Sequence, residues 1–128
     1  MRNFFIYHLP AIAYAALIII LSSIPDLGKN SFDIFKLDKI IHFIEYAVFA
    51  ILVFRSISHL MPNRVILILG ISLVLVAMFA MFDEFYQSYI PGRHSDPFDW
   101  LFDFLGATLI IVFLHYRLRK RRAMHAAE

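Results

Sequence analysis

Cysteine is absent from the 128-residue chain, which excludes disulfides and thiolate chemistry and leaves redox silent about the compartment. Charge is scarce. Asp, Glu, Lys and Arg make up 17% of the residues, against about 25% in ordinary soluble domains, while 61% are hydrophobic. There is no internal repeat, and no low-complexity segment beyond a short basic run near the C-terminus. No Ser or Thr stands out as a nucleophile, so covalent catalysis would have to use His or a carboxylate. Little chain remains outside the apolar stretches, so no water-soluble domain is expected.

Those stretches run roughly Phe4–Ile24, Lys39–His59, Arg64–Phe82 and Pro97–Tyr116. At about 1.5 Å per helical residue, each is about long enough to cross a hydrocarbon core of about 30 Å. Short loops join them. The expected fold is all-α: an integral membrane four-helix bundle of antiparallel spans over residues 1–116, followed by a basic tail over 117–128. The first stretch is read as a retained span. Its apolar run is longer than a signal peptide's core, and only Arg2 precedes it as a positive flank.

The bases set the expected orientation. Arg2, Arg55, Arg64, Arg117, Arg119, Lys120, Arg121 and Arg122 share one side, while Lys29, Lys36, Lys39 and Arg93 lie on the other. By the positive-inside rule both termini are cytoplasmic. Every acid except Glu128 then falls on the outer side: Asp26, Asp33, Asp38, Glu45, Asp83, Glu84, Asp96, Asp99 and Asp103. The run Arg117–Arg122 reads as a topology anchor that touches anionic headgroups, not as a nucleic-acid site.

Local signals place the acids in depth. Asp38 is expected to cap the second span, and Lys39, His42, Glu45 and Tyr46 follow at spacings of three and four, which share a helical face. Asn63 is expected to cap the third span after Pro62. That span ends in Asp83, Glu84, Tyr86, Gln87 and Tyr89. Pro91-Gly92 signals a turn, with Arg93 just after it. Asp96 is expected to cap the fourth span with Pro97 at its first position. Asp99 suits the helix N-terminus, whereas Asp103, one turn deeper, has no capping role. Gly106 lies on the same stripe and permits close helix approach. Glu45 and Asp103 reach similar depth, and a carboxylate there must face protein or a wet cavity rather than lipid.

The pattern Lys39-Ile-Ile-His42-Phe-Ile-Glu45-Tyr46 resembles the K-x-x-H-x-x-x-Y segment of the VanZ-like family of membrane proteins. Asp83-Glu84-Phe-Tyr-Gln87, then Pro91-Gly92-Arg93, then Asp99-x-x-x-Asp103-x-x-Gly106 resembles its second half, over about residues 10 to 115 in all. Asp103 departs from the pattern, standing where the family commonly shows Asn. The resemblance implies a small multi-pass protein of the bacterial cell membrane. It also implies a cell-envelope setting, because the namesake is associated with low-level resistance to the glycopeptide teicoplanin.

The candidate site comprises His42, Glu45, Asp99 and Asp103 as catalytic groups, with Lys39, Tyr46, Asp83, Glu84, Gln87 and Arg93 as binding groups. In the favoured reading, an outward-facing pocket binds or modifies a phosphate-bearing envelope lipid, lipid-linked sugar or glycopeptide. Lys39 and Arg93 would hold the phosphate, and His42, oriented by Glu45, would act as acid or base. The alternatives are a non-enzymatic membrane partner or structural protein, a proton relay, and a metal-dependent intramembrane hydrolase. For the last, His42, Glu45, Asp83 and Asp99 offer nitrogen and oxygen ligands, but no spacing is a diagnostic zinc motif. No cofactor is assigned. Membrane lipids are the expected surroundings, and a transporter of four spans would need to form a homo-oligomer.

Overall fold

The computed structural model describes residues 2–25, 32–93 and 96–125. Five helices follow one another: α1 (Arg2–Tyr7), α2 (Leu9–Ser22), α3 (Phe32–Leu60), α4 (Val65–Gln87) and α5 (Pro97–His125). No strand occurs among the described residues. Among the described residues, three helical segments are long and apolar enough to cross a membrane: Lys39–Leu60 of α3, the whole of α4, and Pro97–Met124 of α5. The shorter apolar α2 joins them. The fold is an all-α membrane bundle.

The first apolar stretch differs from a single uninterrupted span. It breaks at His8 into α1 and α2, with Pro10 at the start of α2. Proline has no N–H to donate and crowds the carbonyl four residues before it, so the helix yields one turn earlier. The bonds from His8 N to Phe4 O (2.9 Å) and Ile12 N to His8 O (3.2 Å) carry the chain across the break.

Two expected caps are corrected. α3 begins at Phe32, so Asp38 lies within the helix and not at its N-cap. The N-cap of α4 is Arg64, with no side-chain cap bond, so Asn63 does not cap it. The cap on α5 holds: Phe98 N–H donates to Asp96 Oδ1 at 2.9 Å, and Asp99 N–H to Asp96 O at 2.8 Å. α5 continues without a break through the basic run to His125. Asp26 and Lys29 lie outside the described residues.

α3 is the hub. It packs against α2, α4 and α5, and α4 also packs against α5 and α2. The buried apolar residues Tyr46, Phe49, Ala50, Val53, Phe54 and Ile57 form its inner stripe. Ile68, Ser72, Val76 and Ala80 form that of α4, and Ala107 and Ile111 that of α5. Large apolar side chains such as Ile12, Ile44, Met78, Phe85 and Leu109 point outward. This inverts a soluble bundle: where the surroundings are apolar, the interior is the place where polar groups can find partners.

Gly106 sets the closest approach. A Cβ built there would lie 2.3 Å from Phe43 O, so only glycine lets α5 run so near the α3 backbone.

Candidate functional site

One end of the bundle gathers the polar groups. α2 and α4 finish there, α5 starts there, and the Lys39–Tyr46 part of α3 passes through. Lys39, His42, Tyr46, Asp83, Glu84, Gln87, Asp99 and Asp103 are all buried. Positions 39, 42 and 46 recur at helical spacing, so α3 presents them on one face. Asp99 and Asp103 do the same on α5, and Asp83 and Gln87 on α4.

The Lys39 ammonium lies between two carboxylates of the α5 N-terminus. It donates to Asp96 Oδ2 at 2.6 Å and also to Asp99 Oδ1. A buried charge this close to its partners offsets part of its desolvation cost. Asp96 does three things at once. It caps α5, takes Lys39, and donates its backbone N–H to Glu84 Oε2 at 3.0 Å. Partial burial raises the Asp96 carboxyl, but the Lys39 ammonium and the Phe98 N–H outweigh it and hold the group below the ordinary aspartate value.

One turn deeper, His42 Nδ1 lies 3.0 Å from Asp103 Oδ1. A carboxylate only accepts, so an ionised Asp103 assigns the proton to Nδ1. Asp103 is fully buried, and its second oxygen, Oδ2, meets no hydrogen-bond donor among the described residues. Next to this pair, Tyr46 O–H donates to Asp83 Oδ2 at 3.2 Å, and Gln87 Nε2 donates to the same oxygen at 3.0 Å. Gln87 Nε2 also reaches Ser22 Oγ on α2 at 3.2 Å, and Ser23 Oγ meets Tyr86 O–H at 2.9 Å. All four long elements are therefore linked through polar contacts at this end.

Two expected relations change. His42 is oriented by Asp103 and not by Glu45, because the facing surface of α5 brings Asp103 opposite the imidazole. Lys39 is engaged by Asp96 and Asp99 and is not held out toward a pocket. Glu45 is half-buried and acts electrostatically on His42, Asp83 and Asp103, as does Arg93 on Glu45. Arg93 sits in the turn closed by its N–H to Ile90 O at 3.1 Å. Pro91 and Gly92 are the central residues, and the φ of 80° at Gly92 is the left-handed value that a type II turn requires. Ser22 and the bonds of Asp96 to Lys39 and Glu84 were missed from the sequence. The signal for Ser22 was weak: a lone hydroxyl at the end of an apolar run.

A groove of about 280 Å³ between α4 and α5 reaches this centre. Met81, Phe85, Pro97 and Trp100 form its apolar walls, and Glu84 and Asp96 its polar end. The opposite end of the bundle is basic, with a cavity of about 570 Å³ that includes Arg64, Arg119 and Arg122 in its lining. Tyr7 and His59 stack there, with ring centroids 3.9 Å apart, and His8 bonds Ser56 at 2.7 Å, so these two histidines join α1 and α2 to the end of α3.

An apolar exterior, helices of membrane-crossing length and a carboxylate-rich interior at one end define a small polytopic membrane protein. The chain belongs to the VanZ/LLP1 family, whose family model matches residues 4–119. Comparisons with curated proteins and with solved structures gave no match.

Proposed function

We propose that this is a cell-envelope protein of the bacterial membrane, with both termini cytoplasmic, whose polar centre faces the outer leaflet and binds or modifies a phosphate-bearing lipid or lipid-linked sugar. One observation carries this reading. The groove between α4 and α5 has apolar walls and ends at Glu84 and Asp96, next to the buried His42–Asp103 pair. An acyl chain suits the walls, and the headgroup would then lie beside an imidazole whose proton position is set. Arg93, half-buried in the adjoining turn, is the cation placed to hold a phosphate in a forked geometry. A role in tolerance of glycopeptides would follow if such a lipid is a precursor of their target.

The test is a photoreactive phosphatidylglycerol analogue in membranes containing the full chain. It should label peptides of the α4–α5 groove, and Arg93→Ala should reduce that labelling several-fold while Arg122→Ala at the basic end does not. Equal groove labelling in Arg93→Ala would refute the assignment.

A second reading, a polar lock without a substrate, draws on the bonding of Lys39 to Asp96 and Asp99 and on the Tyr46–Asp83–Gln87–Ser22 chain. On that reading His42→Ala and Arg93→Ala lower membrane abundance and leave no separate envelope defect.

A further inference from the structure

We propose that His42, Glu84 and Asp103 form a binding site for one divalent transition-metal cation of the Zn²⁺ or Mn²⁺ class. One side chain comes from each of α3, α4 and α5. All three are buried, and each offers a ligand atom within 4.8 Å of the others. Tetrahedral ligands at about 2.1 Å from a metal stand about 3.4 Å apart. His42 would ligate through Nδ1 once the proton it shares with Asp103 is released, and rotations that draw the atoms together by up to about 1.4 Å would close the shell.

The donor set is one imidazole nitrogen and two carboxylate oxygens. Imidazole suits Zn²⁺, and carboxylate also suits Mn²⁺. Three protein ligands leave a position open for water or a substrate oxygen, as in catalytic rather than structural sites.

A second observation points to a cation ligand. Asp103 is fully buried and its Oδ2 has no donor among the described residues. An ionised oxygen left so in a low-dielectric interior is costly, and a metal ion satisfies it directly. The surrounding charge leads the same way. Asp83, Glu84, Asp99 and Asp103 are buried together with Glu45 and Asp96 beside them, and the Lys39 ammonium is already shared by Asp96 and Asp99. Arg93 acts on Glu45 from the adjoining turn, and one dication at the three ligands would add two positive charges to this acid-rich centre. The groove that ends at Glu84 supplies an entry path.

The site also bears on the proposed lipid. A phosphate brought among these carboxylates meets repulsion unless positive charge is added, and the cation would add it. The inference uses the same centre but does not depend on that ligand.

Purified full-length protein in detergent, stripped with chelator and desalted, would be titrated with Zn²⁺ or Mn²⁺ alone. One tightly held ion per chain is expected, with a raised melting temperature. Asp103→Asn and Glu84→Gln should each weaken binding by roughly tenfold or more, and His59→Ala at the opposite end should not. Because substitution of a buried acid can unfold the bundle, a wild-type measurement runs beside it. Mn²⁺ should quench Trp100, the single tryptophan, which precedes Asp103 by one helical turn. No bound ion, no quenching, undiminished binding in Asp103→Asn, or loss of binding in His59→Ala would each overturn the proposal. Reduced groove labelling by the lipid analogue in Arg93→Ala, with no ion bound, would sink the metal site alone. A bound ion with unchanged labelling would sink the lipid reading alone.

Discussion

Replacing Gly106 with alanine tests how the two central helices hold the site. The added methyl would lie 2.3 Å from Phe43 O, where ordinary contact begins at 3.4 Å, so α3 and α5 must separate by about 1 Å at that level. Phe43 adjoins His42, and Gly106 lies about one turn from Asp103. The same movement therefore stretches the His42–Asp103 contact from 3.0 Å to about 4 Å, beyond hydrogen-bond range. Overpacking costs about 1–3 kcal/mol and a lost bond to a charged group about 1.5–3 kcal/mol. These terms share a cause, so a combined loss of about 3–5 kcal/mol is expected. Gly70→Ala is the control, because its added methyl meets nothing within 4 Å and alanine favours the helix by about 1 kcal/mol. Unfolding of both variants in detergent, followed by circular dichroism, would measure the contrast. If Gly106→Ala stays within about 0.5 kcal/mol of the parent, below the smallest overpacking cost, the close approach does not govern the site.

Lys39→Met leaves Asp96 and Asp99 without their shared ammonium and should destabilise the bundle by about 3–5 kcal/mol. Adding Asp99→Asn should recover part of the loss, and a Lys39→Met protein as stable as the parent would refute the pairing. Asp96→Asn keeps a competent helix cap but removes the charge facing Lys39. Because the folded-state value of Asp96 is lowered, its contribution is present above the ordinary aspartate value and is lost as pH falls through the native one. The melting-temperature gap between the parent and Asp96→Asn should thus be widest near neutrality and shrink in acid. A gap that grows in acid would contradict this sign.

Most of the fold was legible because membrane spans are set by length and apolarity, which a sequence displays directly. The break at His8 was not anticipated, although Pro10 carried its physical cause. The start of α3 at Phe32 was missed because Asp38 resembles a cap and charged residues around it resemble a loop. Within the site, spacing alone placed Lys39, His42 and Tyr46 on one face and Asp99 and Asp103 on another. Spacing does not determine how two helices rotate and slide against each other. Hence the acid facing His42 was read as Glu45, from the same helix, when the packing at Gly106 brings Asp103 to it. For the same reason the nearness of Glu84 to His42 and Asp103 was not legible. Glu84 comes from a third helix whose axial register only the assembled bundle defines.

The way α2 is fastened has a consequence for assembly. This short rod shares few side-chain bonds with its neighbours along its middle, yet His8 is hooked to Ser56 near one end, and Ser22 and Ser23 to Gln87 and Tyr86 at the other. Sliding it by a single pitch of about 5.4 Å would undo both fastenings together. Two small clasps, set about 21 Å apart along fourteen residues, thus act like the marks of a vernier. They give one lipid-bathed segment a single seating depth that oily surfaces alone would leave undefined.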